Sequence, residues 1–285
     1  MVPEPSDRTV RSAVAAVYEA MRSGFGPAGR QFESVPDFGH DPKFLEAAAP
    51  LLEFLYARYF RIQMIGIEHV PMEGPALLVA NHSGGLPYDG ALLIYGIYRN
   101  HPLHRRLRTL VANFAFNSSW MAPVISRLGG VRANPGFAKR LLSAGELVGV
   151  FPEGLKGVGK LYRERYRLDR FGRGGFARLA KQANVPIVPI AIVGAEEIHP
   201  MLAKMTALAQ PLGLPYIPIT PTFPWLGPLG LLPVPSKWTI RIGEPISVPE
   251  GDSSAVVPET AEMVRRRIDQ MISETLTQRR SVIFG

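Results

Sequence analysis

The chain has 285 residues, 46% hydrophobic and 20% charged, enough apolar material for a sizeable core and too much for a disordered or fibrous polypeptide. It has no cysteine, which excludes a disulfide framework, a thiolate nucleophile and a cysteine-ligated zinc. The formal net charge of +8 points to an anionic partner, and the 28 glycines and 27 prolines, without period, imply a loop-rich fold rather than collagen.

Asp7, Arg8, Arg11 and Glu19 interrupt the first apolar positions, so a secretory leader is not expected there. Ser6 or Asp7 can cap a helix whose Val10, Val14, Val17, Tyr18 and Met21 share one face. A Gly/Pro-punctuated linker follows over 23–42. Residues 43–60 predict a second helix, with Phe44, Leu51, Leu52, Phe54, Leu55, Tyr56, Tyr59 and Phe60 spread over a wide apolar surface. It is either a core helix or one lying in a membrane interface. Residues 1–60 are thus expected to form an N-terminal helical segment, and 61–285 an α/β domain.

From residue 61 onward, short apolar runs alternate with helix-length segments. Strands are expected at 61–67, 76–80, 108–114, 147–151, 186–193 and 238–243, and helices at 90–98, 136–146, 175–183 and 258–276. Strands that are apolar throughout and separated by helices predict a mostly parallel sheet covered on both faces. In such sheets ligands bind beyond the carboxyl ends of the strands.

The residues after the second run are Asn81-His82-Ser83-Gly84-Gly85-Leu86-Pro87-Tyr88-Asp89. A histidine leaving a strand, with a carboxylate a few residues on, can hold one tautomer and accept a proton from a hydroxyl. The same histidine could equally cap the turn. Ser83 is not expected to be a nucleophile, because the chain has no G-x-S-x-G elbow. Gly129-Gly130-Val131-Arg132 puts an arginine at a Gly-rich turn, where it is either a phosphate clamp or a solvated loop residue.

The run at 147–151 leads into Pro152-Glu153-Gly154. Residues 154–160, GLKGVGK, match seven positions of a phosphate-binding P-loop. The eighth is Leu161 where Ser or Thr is needed, and the charged segment YRERYRLDRF follows in place of a buried helix, so a nucleotide-binding protein remains only as a degenerate alternative. Between Lys156 and Lys181 nine Lys/Arg residues stand against Glu164 and Asp169, which concentrates the positive charge beside this block.

No charged side chain lies between Lys204 and Lys237. Eight prolines interrupt that stretch, so it cannot form a continuous spanning helix. The apolar Pro-rich loop at 205–236 either dips into a headgroup layer, with Tyr216, Phe223 and Trp225 as anchors, or covers the protein surface. A C-terminal helix follows, with Ala261, Val264, Ile268 and Ile272 on one face.

Taken in order, NHSGGLPYD, GGVR, FPEG and VPIVP (185–189) resemble the glycerolipid and lysophospholipid acyltransferase superfamily, most closely its monoacylglycerol/diacylglycerol acyltransferase-like branch. The resemblance covers about residues 60–250. It implies an α/β acyltransferase fold and transfer of a fatty acyl group from acyl-CoA, or another acyl thioester, to a lipid hydroxyl. His82 would be the general base and Asp89 its orienting partner, with no covalent acyl-enzyme. Arg132 would hold a phosphate, Glu153 and Gly154 would shape the acceptor site, Lys156 would act as a point charge, and Pro186 would begin the strand lining the acyl end. No cofactor or metal is expected, acyl-CoA being a substrate. The partners implied are the thioester donor, the lipid acceptor and an anionic membrane surface, reached by peripheral or monotopic attachment at the cytoplasmic face. A nucleic acid is not expected, since no reader motif accompanies the basic charge. A catalytically silent lipid-binding relative is the other alternative. One departure bears on it: the family's His-x4-Asp is here His82-x6-Asp89, and the two extra residues either loop out or break the contact.

Overall fold

The computed structural model describes residues 6–23, 40–83, 88–154, 157, 159–169, 171, 174–207, 209 and 216–283. Helix α1 (Asp7–Ser23) and helix α2 (Pro42–Glu53) open the described chain, and α2 runs on as a π-helical turn, Phe54–Tyr59. Asp41 caps α2 by accepting the Phe44 amide, and Pro42 occupies the first turn, where no backbone donor is missed. The apolar surface of α2 and its extension packs into protein: Phe44, Leu45, Ala48, Leu52, Tyr56 and Phe60 are all buried, in one cluster with the sheet.

Alternating elements follow: β1 (Gln63–Ile65), β2 (Ala76–Ala80), α3 (Tyr88–Asn100), β3 (Leu107–Val111), α4 (Asn113–Phe116), α5 (Met121–Leu128), β4 (Val131–Arg132), α6 (Pro135–Ser143) and β5 (Leu147–Val150). Then come α7 (Gly175–Ala183), β6 (Ile187–Val193), the hairpin β7 (Ala203–Met205) with β8 (Ile217–Ile219), β9 (Thr239–Ile242) and α8 (Ser253–Gln278). Seven strands form one sheet in the order β1-β9-β6-β2-β5-β3-β4, and β7 with β8 form a second, two-stranded one. All neighbours in the large sheet are parallel except β6 and β9.

The expected mostly parallel α/β sheet is therefore the observed one. Its central strands are apolar at every position because alternate residues face opposite layers. Leu78, Ala80, Val188, Ile190 and Ile192 point into the core shared with α1–α3, whereas Leu77, Val79, Val148, Ile187 and Val193 point into the core shared with α6–α8.

Three expectations are corrected in detail. The last helix starts at Ser253 rather than Pro258, because Asp252 supplies the cap by accepting the Ser254 amide, and Pro258 sits inside the helix. The expected loop at 205–236 carries β8, and a 3₁₀ turn over Gly227–Leu231. The expected helix over 43–60 changes register at Glu53 into the π-helical turn. Among the described residues no helix is long and apolar enough to cross a membrane.

Candidate active site

The site begins where β2 ends. Asn81, fully buried, substitutes for a ladder residue: its amide nitrogen donates to the Ile192 carbonyl at 2.9 Å, and its side-chain oxygen accepts the Ile192 amide at 2.7 Å. The strand is thereby pinned to β6 at the point where the chain turns away, and His82 follows beyond the carboxyl end of the sheet.

Asp89 lies in the first turn of α3, where unpaired backbone donors and the helix dipole favour a carboxylate. It is fully buried and completely used. Oδ2 is 2.6 Å from His82 Nδ1 and accepts the Ser83 amide at 2.9 Å, while Oδ1 accepts the Gly90 amide at 2.8 Å. The longer spacing thus leaves the pair in contact. A carboxylate on Nδ1 fixes the ring proton there and leaves Nε2 as the basic nitrogen. The His82 ring is partly exposed and packs against Phe151, centroid to centroid 4.6 Å.

Glu153 holds the same histidine from the other side. Its Oε1 accepts the His82 amide at 3.1 Å. Its Oε2 accepts the Asp169 amide at 3.0 Å and lies 2.7 Å from Lys160 Nζ. The side chain has no exposure, so this carboxylate is committed to protein partners and positions the histidine. Lys160, with a side chain only 7% exposed, also reaches Glu196 Oε1 at 3.5 Å. A lysine buried between two carboxylates is not a phosphate-binding lysine, which removes the basis of the P-loop alternative.

Behind this pair the network continues. Glu196 accepts the Tyr166 amide at 2.9 Å, the Tyr166 hydroxyl accepts the Gly194 amide at 3.0 Å, and Arg279 clamps Glu197 with two bonds of 2.7 and 2.6 Å. Burial pushes the Glu196 carboxyl up to about 7, against the pull of Lys160.

Backbone shape matters at two glycines. Gly154 has φ of +54°, a left-handed turn that only glycine adopts without strain. At Gly157 a Cβ would come within 2.8 Å of Glu153 Cβ and 2.9 Å of His82 Cβ, so the chain after FPEG lies directly on the histidine.

The remaining expected site residues are placed differently. Arg132 ends β4, at the carboxyl end of the sheet but three strands from β2, roughly 14 Å across at ordinary strand spacing. Its guanidinium stacks 5.0 Å from the Phe116 ring. Pro186 precedes β6, and its carbonyl accepts the Leu77 amide at 3.0 Å, which puts it at the amino end of the sheet, opposite His82. Lys156 lies outside the described residues. Thus His82, Asp89, Glu153 and Gly154 are brought together, while Arg132 stands on the edge strand β4 and Pro186 at the opposite end of the sheet. Asn81, Gly157, Lys160 and Glu196 belong to the site and carried no such sign in the sequence, apart from Lys160 as the lysine of the P-loop pattern.

The Acyltransferase family model matches residues 61–193, the span that carries β2, His82, Asp89 and Glu153. An uncharacterized protein of Mycobacterium tuberculosis is 46% identical to this chain, over 88% of it and 72% of that protein. The chain belongs to the glycerolipid and lysophospholipid acyltransferase superfamily. The human 1-acyl-sn-glycerol-3-phosphate acyltransferase alpha is 31% identical to this acyltransferase over 52% of the chain and 51% of the human enzyme. The crystal structure of the 1-acyl-sn-glycerophosphate acyltransferase PlsC from Thermotoga maritima shares the fold, with a TM-score of 0.57, 20% identity and coverage of 96% of this chain and 97% of that one.

Proposed function

We propose that this acyltransferase moves a fatty acyl group from acyl-CoA to a hydroxyl of a glycerolipid or lysophospholipid acceptor, with His82 as the general base. The observation that carries the reading is the 2.6 Å contact between His82 Nδ1 and buried Asp89. It leaves Nε2 as the basic nitrogen of a partly exposed ring that packs on Phe151, with the backbone amide held by Glu153.

In the reaction, His82 Nε2 takes the acceptor hydroxyl proton as that oxygen attacks the thioester carbonyl carbon. Asp89 stabilises the imidazolium that forms. The tetrahedral intermediate collapses with cleavage of the carbon–sulfur bond, and the imidazolium returns its proton to the leaving CoA thiolate. No side chain is acylated, consistent with a chain lacking cysteine. The Lys/Arg-rich segment after Glu153 supplies positive charge for the CoA phosphates or an anionic headgroup, and the lipid acceptor implies peripheral work at a membrane surface.

The test is acyl transfer by wild type and His82→Ala from labelled acyl-CoA to a panel of lipid alcohols. Loss of product with retained acyl-CoA binding is expected. Equal product from both proteins overturns the assignment.

A further inference from the structure

Within the stretch without charge, residues 216–236 form a hydrogen-bonded, partly exposed segment. Thr220 accepts the amides of Thr222 and Phe223 on its hydroxyl, and its own amide donates to the Phe223 carbonyl. The Leu226 amide donates to Thr222, Gly227 to Pro224, and Leu232 to Leu229, while the Thr222 hydroxyl donates to the Gly230 carbonyl. His199 Nε2 bonds the Leu231 carbonyl at 2.8 Å, and the Tyr59 hydroxyl donates to the Pro233 carbonyl at 2.5 Å. These backbone groups are paired within the segment or to the domain, as an apolar medium demands of irregular chain.

Its side chains point the other way. Trp225 is 76% exposed, Leu229 69%, Leu232 61% and Leu226 59%, with Leu202 of the neighbouring hairpin at 59%. Large apolar side chains are normally the first to be buried, and monomers rarely expose them contiguously. Here hydrogen-bonded backbone carries several of them within eight residues, in a sequence without a charged residue from 205 to 236. Cations flank the base: Lys204 is exposed on β7, and Arg58 is exposed one residue before Tyr59.

The segment also adjoins the site. His199, which holds Leu231, has its ring 6.1 Å from that of Tyr88, the residue before Asp89.

We propose that the Trp225–Leu229 segment is the element by which the protein docks on an anionic phospholipid bilayer, inserting its tip below the headgroups with Lys204 and Arg58 against the lipid phosphates. An exposed, uncharged tip bearing an indole suits a fluid apolar layer that needs no shape complementarity. A protein partner would require a complementary pocket and a polar rim. The proposal deepens the reading of the site as one that takes a lipid acceptor, since docking here presents the bilayer to the His82 side of the sheet.

The experiment measures sedimentation with vesicles of phosphatidylcholine and phosphatidylglycerol, and tryptophan fluorescence with lipids brominated along their acyl chains. Trp238 is fully buried and Trp120 is 39% exposed against 76% for Trp225, so the lipid-sensitive signal is read as the difference between wild type and Trp225→Phe. Wild type is expected to show a blue shift and quenching that Trp225→Phe loses. Leu226→Ser/Leu229→Ser is expected to bind vesicles at least about tenfold more weakly, from the transfer energy of two leucines. Its turnover of a short-chain, water-dispersed acceptor is expected to be unchanged.

Unaltered vesicle binding by both variants overturns the proposal. So does a loss of self-association by the double variant in the absence of lipid, which would make the segment a contact between copies. Docking through Trp225 without acyl transfer to any acceptor would leave this proposal standing and overturn the catalytic reading. Transfer without quenching at Trp225 would do the reverse.

Discussion

Lys160 and Glu153 form a buried ion pair, 2.7 Å from Nζ to Oε2, whose carboxylate holds the amide of His82 with its other oxygen. The proposed base is thus fixed from two directions, its ring by Asp89 and its backbone by Glu153. Removing one member of a buried pair leaves the other charged and unpaired, at a cost of about 3–5 kcal/mol. Lys160→Met is expected to lower stability by that order in urea unfolding and to reduce kcat with it. Lys160→Met combined with Glu153→Leu should recover only part of the stability and none of the activity, because the His82 and Asp169 amides then lose their acceptor.

Asp89→Asn keeps the shape of the side chain but removes the charge that stabilises the imidazolium and fixes the tautomer. A fall in kcat of about 10²–10⁴ is expected, with KM for acyl-CoA nearly unchanged. Steady-state kinetics at fixed acceptor check it. A change confined to KM would make Asp89 a binding residue.

Asn81→Leu leaves the buried amide and carbonyl of Ile192 without partners. A buried unsatisfied group costs about 1–3 kcal/mol, so a clear drop in thermal midpoint is expected. Activity should fall further than stability alone explains, since Asn81 sets where the chain turns into His82. Calorimetry and kcat measured well below the midpoint separate the two.

Glu196 has its carboxyl raised by burial to about 7 from an ordinary 4.5. The folded state therefore holds a proton over pH 4.5–7 that the unfolded state has released, so stability from this group falls as pH rises through that window. Glu196→Gln removes the titration. Relative to wild type it is expected to gain in thermal midpoint between pH 5 and pH 8. A difference between the proteins that stays constant with pH would show that Glu196 does not titrate there.

The order of buried strands and the His82 loop were legible because continuous apolar runs and Gly-rich turns carry local signals. The direction of β9 was not, since a strand running against β6 has the same composition as one running with it. Nor was the choice of Lys160 among nine cations between 156 and 181: it is singled out by being buried against Glu153 and Glu196, contacts that only the folded chain creates. The Gly154–Lys160 spacing imitated a phosphate loop, but two of its residues answer to protein: Gly154 takes a left-handed turn and Lys160 pairs with Glu153. The VPIVP block reads as site on the family resemblance alone, and Pro186 enters β6 at the end of the sheet opposite His82.

Arg279, just past α8, binds Glu197, the Tyr166 hydroxyl and the Lys237 carbonyl, and so ties the corner behind Glu153 to the last turn of the chain. During synthesis that corner cannot close when Glu197 emerges from the ribosome. It waits for some eighty further residues, so the centre around His82 is completed only once residue 279 is free to fold back, and a nascent chain lacking it carries every catalytic side chain without the finished site.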